Sequence, residues 1–143
     1  MKNLRDKSVL IVDDDARMLR ALDKVLSSEG CAVTCASWVG DAIEILTEHK
    51  KPIHLVITDL RMPFVTGITG LYGIHKLLPD LPVIVLTAFG SPDVKAECLR
   101  QGAAAFLEKP LDASQLLDVI EDVFTSHNSG YGPVRNTKQN ANA

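Results

Sequence analysis

Five short runs of β-branched and aliphatic residues alternate along this chain with amphipathic stretches at helical spacing, and no other feature restricts the fold as much. Parallel strands need long crossover connections, normally helices, so strict alternation implies one parallel sheet wrapped by helices on both faces. The expected strands are Ser8 to Val12, Ala32 to Cys35, Leu55 to Thr58, Val83 to Thr87 and Ala104 to Leu107. The first, third and fourth are nearly all apolar and belong at the centre, which leaves the second and fifth for the edges. Leu19, Leu22, Val25 and Leu26 recur at helical spacing, as do Ala42, Ile43 and Leu46, then Leu71, Ile74 and Leu78, and finally Leu116, Leu117, Ile120 and Phe124. A fourth helix, between these last two groups, is short and has a weaker apolar face.

Punctuation residues agree with this layout. Ser91-Pro92 offers an N-cap followed by proline at the first helical position, and Gly102 follows a helix as a left-handed cap would. Asp112 with Gln115 resembles a capping box opening the last helix, with Asp in place of Ser or Thr. Gly67, Gly70 and Gly73 crowd the third helix, which is expected to begin late or fray at its start because each glycine costs about 1 kcal/mol relative to alanine. Trp38 is expected to pack at the start of the second helix.

The pattern stops after Phe124, which divides the chain into one domain over residues 1–125 and a polar tail or linker start over 126–143. A formal net charge of -3, with no cluster of Lys and Arg, argues against nucleic acid as the direct ligand. No apolar run approaches the ~20 residues of a membrane span, and charges interrupt the N-terminus before any signal-like stretch, so a cytoplasmic location is expected. Cys31, Cys35 and Cys98 lack metal-type spacing and suit a reducing cytosol as buried, unreactive thiols. His49, His54, His75 and His127 show no ligating pattern.

In an open parallel sheet, functional groups gather at the carboxyl ends of the strands. Strand one ends in Asp13, Asp14 and Asp15, strand three in Asp59, strand four in Thr87, and strand five leads into Lys109-Pro110. Several carboxylates at one rim repel each other unless a cation intervenes, and an all-oxygen set implies a hard metal such as Mg²⁺. Mg²⁺ takes few protein carboxylates and completes its shell with water and phosphate oxygens, which points to phosphoryl chemistry. Asp59, isolated on its own strand end, is the natural nucleophile, with the strand-one acids holding metal beside it. The Thr87 hydroxyl and Lys109 ammonium are then suited to bind and neutralise the transferred oxygens.

The segments VLIVDDD, VITDLRMPFVTG, VIVLTAFG and FLEKP resemble the response-regulator receiver domains of bacterial two-component signalling, in order, from about Ser8 to Thr125. The resemblance implies a flavodoxin-like, doubly wound α/β sheet of order 2-1-3-4-5 with five helices. It makes Asp59 the phosphorylation site and Asp13 and Asp14 the acidic pair. Asp14, Asp59 and the main-chain carbonyl of Arg61 become ligands of Mg²⁺, with Mn²⁺ as an alternative, and Asp15 becomes a bystander. Thr87 is the switch hydroxyl, Lys109 its partner at the phosphoryl group, Phe106 the aromatic whose burial reports the active state, and Lys109-Pro110 a cis bond. Implied partners are a sensor histidine kinase or phosphotransfer protein as donor, and an effector domain or target protein. The face of helix 4, strand 5 and helix 5 is the surface that switches, for effector binding or homodimer formation.

The sequence departs from the family around FVTGITGLYG, where Thr66 replaces the usual acid or serine. Arg61 and Phe89 flank the path of an attacking water in family members; Phe89 is expected to block it and prolong the phosphorylated state, which loss of label from phosphorylated Phe89→Ala would measure. Three other functions compete. An FMN-binding protein of this fold is disfavoured because three aspartates would repel the cofactor phosphate. An aspartyl phosphatase would want an acid where Arg61 stands. A phosphorylation-independent adaptor is the most serious rival, and the complete acid, hydroxyl and lysine set argues against it.

Overall fold

The architecture was obtained as a computed structural model, which describes residues 4–48, 51–60, 67–88, 90–110 and 112–128. The strands are β1 (Ser8–Val12), β2 (Ala32–Ala36), β3 (Leu55–Thr58), β4 (Val83–Thr87) and β5 (Ala105–Glu108). The helices are α1 (Ala16–Ser28), α2 (Val39–Glu48), α3 (Gly67–Leu77), α4 (Pro92–Arg100) and α5 (Ala113–Asn128). All strands pair in parallel, in the order β2-β1-β3-β4-β5, so the two less apolar strands are at the edges as expected.

Alternation along the strands sorts the core into two layers. Leu10 and Val12 of β1 join Val56, Val83 and Val85 under α2, α3 and α4, where Ala42, Leu46, Leu71, Ile74 and Cys98 face the sheet. Val9 and Ile11 join Leu55, Ile57, Ile84 and Leu86 on the other face, under Leu22 and Leu26 of α1 and Leu116, Leu117, Ile120 and Phe124 of α5. Each aliphatic side chain fully removed from water in these layers contributes about 1.5–3 kcal/mol. The helical stripes read from the sequence are therefore the faces that pack.

The caps hold too. Ser91 Oγ accepts from the Val94 N–H and Asp112 Oδ1 from the Gln115 N–H, and Gly102 has φ +104°, with the His75 ring lying where a Cβ would project. Trp38 sits just before α2 with its ring over Gly40.

Three expectations need correction. β5 runs from Ala105 to Glu108, one residue later at each end than Ala104 to Leu107, although the Ala104 N–H already donates to the Val83 carbonyl of β4. α3 does not begin late: it opens at Gly67 and runs through all three glycines. Gly70 has a packing reason to be there, since a Cβ would come within 2.7 Å of a Val39 methyl carbon, so its bareness lets α3 approach α2 closely. Cys35 is exposed on the edge strand β2, whereas Cys31 and Cys98 are buried. Among the described residues, no helix is long and apolar enough to cross a membrane.

Candidate functional site

The backbone assembles one rim from three strand ends. The Asp59 N–H donates to the Val12 carbonyl, the Asp13 N–H to the Ala36 carbonyl and the Lys109 N–H to the Thr87 carbonyl, so the residue after each strand is still locked to its neighbour. Asp13, Asp59 and Lys109 are thereby held at fixed register, and the Lys109-Pro110 bond is cis, as expected.

Their side chains meet. Lys109 Nζ donates to Asp59 Oδ2 at 2.8 Å and to Asp13 Oδ2 at 2.9 Å. Asp13 and Asp59 are both buried, and Asp13 Oδ1 also accepts from the Asp15 N–H at 2.9 Å. Asp14 is exposed beside them. Asp15 accepts from the Arg17 N–H and is the N-cap of α1, a structural duty that fits its reading as a bystander.

Burial holds the Asp13 carboxyl above its ordinary range, against the opposing pull of the Asp15 N–H and the Lys109 ammonium. For Lys109, burial disfavours the charge, but the hydrogen bonds to Asp59 and Asp13 outweigh it and raise the ammonium pKa.

A cleft of about 390 Å³ opens over this cluster, lined by Asp13, Asp14, Asp15, Met18, Asp59, Ala88 and Lys109. Thr87 is fully buried and is not among the lining residues; Ala88, the next residue, is. Phe106 is buried as well and packs in the layer beneath α2, α3 and α4. Its neighbour in the ladder is Val85, while Thr87 pairs with Glu108, so Thr87 and Phe106 lie diagonally on the same sheet face.

Met18 and Ala88 were not singled out from the sequence: only the convergence of the α1 start and the β4 end reveals them. Arg61, Thr66 and Phe89 lie outside the described residues, as do His49 and the side chain of His127. His54 Nδ1 accepts from the Ser8 N–H at the opposite end of β1, a structural use of that ring.

The donor set suits a hard cation. Among the described residues, and despite the four aspartates that line the cleft, no three ligating side chains are arranged to hold a metal ion by themselves. Mg²⁺ does not ask for one, because it binds through one or two carboxylates and fills the remaining positions with water and phosphate oxygens. Asp14 and Asp59 both line the cleft and are the carboxylates that could hold such an ion.

Comparison with known proteins identifies the fold and the lineage. Residues 9–121 match the response regulator receiver domain family. The transcriptional regulatory protein GlrR of Escherichia coli is 41% identical over 115 residues, which is 80% of this chain and 25% of that protein. FleR, a response regulator protein of Pseudomonas aeruginosa, is 37% identical over 112 residues, 78% of this chain and 23% of that protein. This chain thus spans about a quarter of the length of these curated relatives. Among solved structures, a response regulator receiver domain protein from Clostridium thermocellum has a TM-score of 0.80 at 31% identity, covering 86% of this chain and 98% of that one. The CheX-CheY-BeF3-Mg²⁺ complex from Borrelia burgdorferi contains a chain with a TM-score of 0.78 at 33% identity, covering 84% of this chain and 90% of that one. The beryllofluoride-activated NtrC4 receiver domain dimer matches with a TM-score of 0.77 at 31% identity, over 84% of this chain and 98% of that one. With a five-stranded parallel sheet in the order 2-1-3-4-5 and a family match over most of its length, the chain belongs to the response regulator receiver domains of two-component systems.

Proposed function

We propose that Asp59 accepts a phosphoryl group from a phosphohistidine on a sensor kinase or phosphotransfer protein, and that the charge gained there switches a partner-binding surface. The observation that carries this reading is the pair of hydrogen bonds from Lys109 to Asp13 and Asp59, which gathers a nucleophilic carboxylate, a second acid and a cation at one cleft.

In the transfer, an Asp59 carboxylate oxygen forms a bond to phosphorus while the phosphorus–nitrogen bond of the donor breaks and the imidazole departs. Mg²⁺, held by the Asp14 and Asp59 carboxylates and the Arg61 carbonyl, would supply the positive charge that such a transition state needs. Lys109 redirects one of its donors from the Asp59 carboxylate to a phosphoryl oxygen. The Thr87 hydroxyl offers another hydrogen bond to the same group. A phosphoryl group adds about -1.5 to -2 charge and three acceptor oxygens, so both groups gain a partner that the bare carboxylate does not offer. Phe106 moves with Thr87 through the shared layer, and the surface of α4, β5 and α5 changes for an effector or for a second copy of the chain.

The receiver region is taken as residues 1–125, with α5 carrying the fold on to Asn128 and the rest of 126–143 as a tail or linker start, and the protein as cytoplasmic. Similarity to regulators of which the matched segment makes up only 25% supports an effector domain as the recipient of the signal.

Acetyl phosphate with Mg²⁺ tests the proposal. Intact mass measured under conditions that preserve acyl phosphates is expected to rise by one phosphoryl group in the wild type and to stay unchanged in Asp59→Asn. An unchanged wild-type mass, together with no spectral response to beryllofluoride and Mg²⁺, would favour the phosphorylation-independent adaptor instead.

A further inference from the structure

Gly90 lies in the connection between β4 and α4, and its backbone does not need glycine: unlike Gly30 and Gly102, it has no positive φ. What it needs is room. A Cβ at this position would stand 3.0 Å from Cε1 and Cζ of Phe106 and 3.0 Å from Cδ of Glu108. Those separations are shorter than relaxed carbon–carbon contacts of ~3.5–4.0 Å. Phe106 and Glu108 are two apart on β5 and project to the same face, the face that Thr87 shares through its pairing with Glu108.

The two neighbours differ in how they can respond. The Glu108 carboxyl is the end of a flexible chain on an exposed residue and can swing away. The Phe106 ring is rigid, buried and enclosed by the core layer, so it cannot yield by a small adjustment.

We infer that Gly90 is a positioning residue for the switch: its missing side chain is the space that lets its own backbone lie against a buried Phe106. The inference rests on the proposed phosphoryl switch, in which burial of Phe106 belongs to the phosphorylated arrangement. A methyl group at position 90 disfavours that arrangement, and a ligand that selects it then binds more weakly by the same factor.

The test is beryllofluoride with Mg²⁺, titrated into the full chain. Gly90→Ala is expected to weaken binding by at least about fivefold, the lower end of what one added methyl in a packed region produces. In a Phe106→Ala background the same Gly90→Ala change is expected to have no further effect, whereas in Glu108→Ala it keeps its full effect. Fluorophenylalanine at position 106, read by ¹⁹F NMR without beryllofluoride, is expected to move toward its solvent-exposed shift in Gly90→Ala, and urea midpoints establish that each variant is folded. Equal affinity of Gly90→Ala and wild type, an undiminished effect in the Phe106→Ala background, or an unmoved fluorine resonance would each overturn the role of Gly90. A wild type that ignores beryllofluoride overturns the switch itself, a separate failure.

Discussion

The Lys109 ammonium bridges Asp59 and Asp13, at 2.8 Å and 2.9 Å, with all three side chains largely withdrawn from water. One cation therefore compensates two carboxylates that would otherwise repel each other across the rim. Replacing it leaves two buried acids without the charge that compensates them. Lys109→Met is expected to lose about 2–4 kcal/mol of stability at pH 7, measured by urea unfolding without divalent metal. The pH dependence has a definite sign. Because the folded pKa of Lys109 is raised above the ordinary 10.5, its contribution is fully present below that value and fades as pH rises through the folded pKa. The gap between wild type and Lys109→Met should thus be constant near neutrality and close above pH 10.5. A gap that stayed open there would mean the loss comes from packing and not from charge.

Asp14 stands exposed next to this cluster and, among the described residues, takes no part in the bonds that engage Asp13 and Asp15. Millimolar Mg²⁺ is expected to raise the urea midpoint of the wild type, a stabilisation of about 1 kcal/mol if metal is several-fold above its dissociation constant. Asp14→Asn should show no such increase while keeping its metal-free stability. Equal Mg²⁺ responses in the two proteins would remove Asp14 from the ligand set.

Two glycines of α3 should answer alanine with opposite signs. Gly70 faces a Val39 methyl group at a distance that a Cβ cannot share, so Gly70→Ala is expected to be destabilising by about 1 kcal/mol after its helix-propensity gain is offset by overpacking. A Cβ on Gly73 meets nothing within 4 Å, and Gly73→Ala should stabilise by about 0.5–1 kcal/mol. Chemical denaturation of the two variants decides it; matching signs would refute the close approach of α2 and α3.

The three thiols should separate by accessibility. Brief iodoacetamide treatment of the folded protein is expected to add one adduct, mapping to Cys35, and two more only in urea, because Cys31 and Cys98 are buried. Desolvation raises the pKa of all three thiols, so access and not thiolate fraction separates them. Modification of Cys98 at the Cys35 rate would contradict the packing of α4.

The contrast between Gly70 and Gly73 marks where sequence reading stops. Both look alike as helix-weakening residues, and only the proximity of Val39 from another helix distinguishes them. Cys35 misled for a related reason: strand periodicity tells which residues share a face but not whether an edge strand's face is covered. By contrast Asp13, Asp59 and Lys109 could be brought together from the sequence, because a parallel sheet aligns strand ends and each residue directly follows its apolar run. The burial of Thr87 away from the cleft, with Ala88 lining it, depends on which way the strand's last side chain points, and run boundaries alone do not fix that. Sheet order came from family resemblance, since alternation alone is compatible with several windings.

The bond between Lys109 and Asp13 joins positions 96 apart in the chain, and that between Lys109 and Asp59 joins positions 50 apart. A chain still emerging from synthesis, or cut before residue 109, holds both acids with no ammonium to steady them. In the proposed phosphotransfer, the centre is therefore assembled only once the fifth strand has docked, because its long-range contacts must wait for the last strand of the sheet.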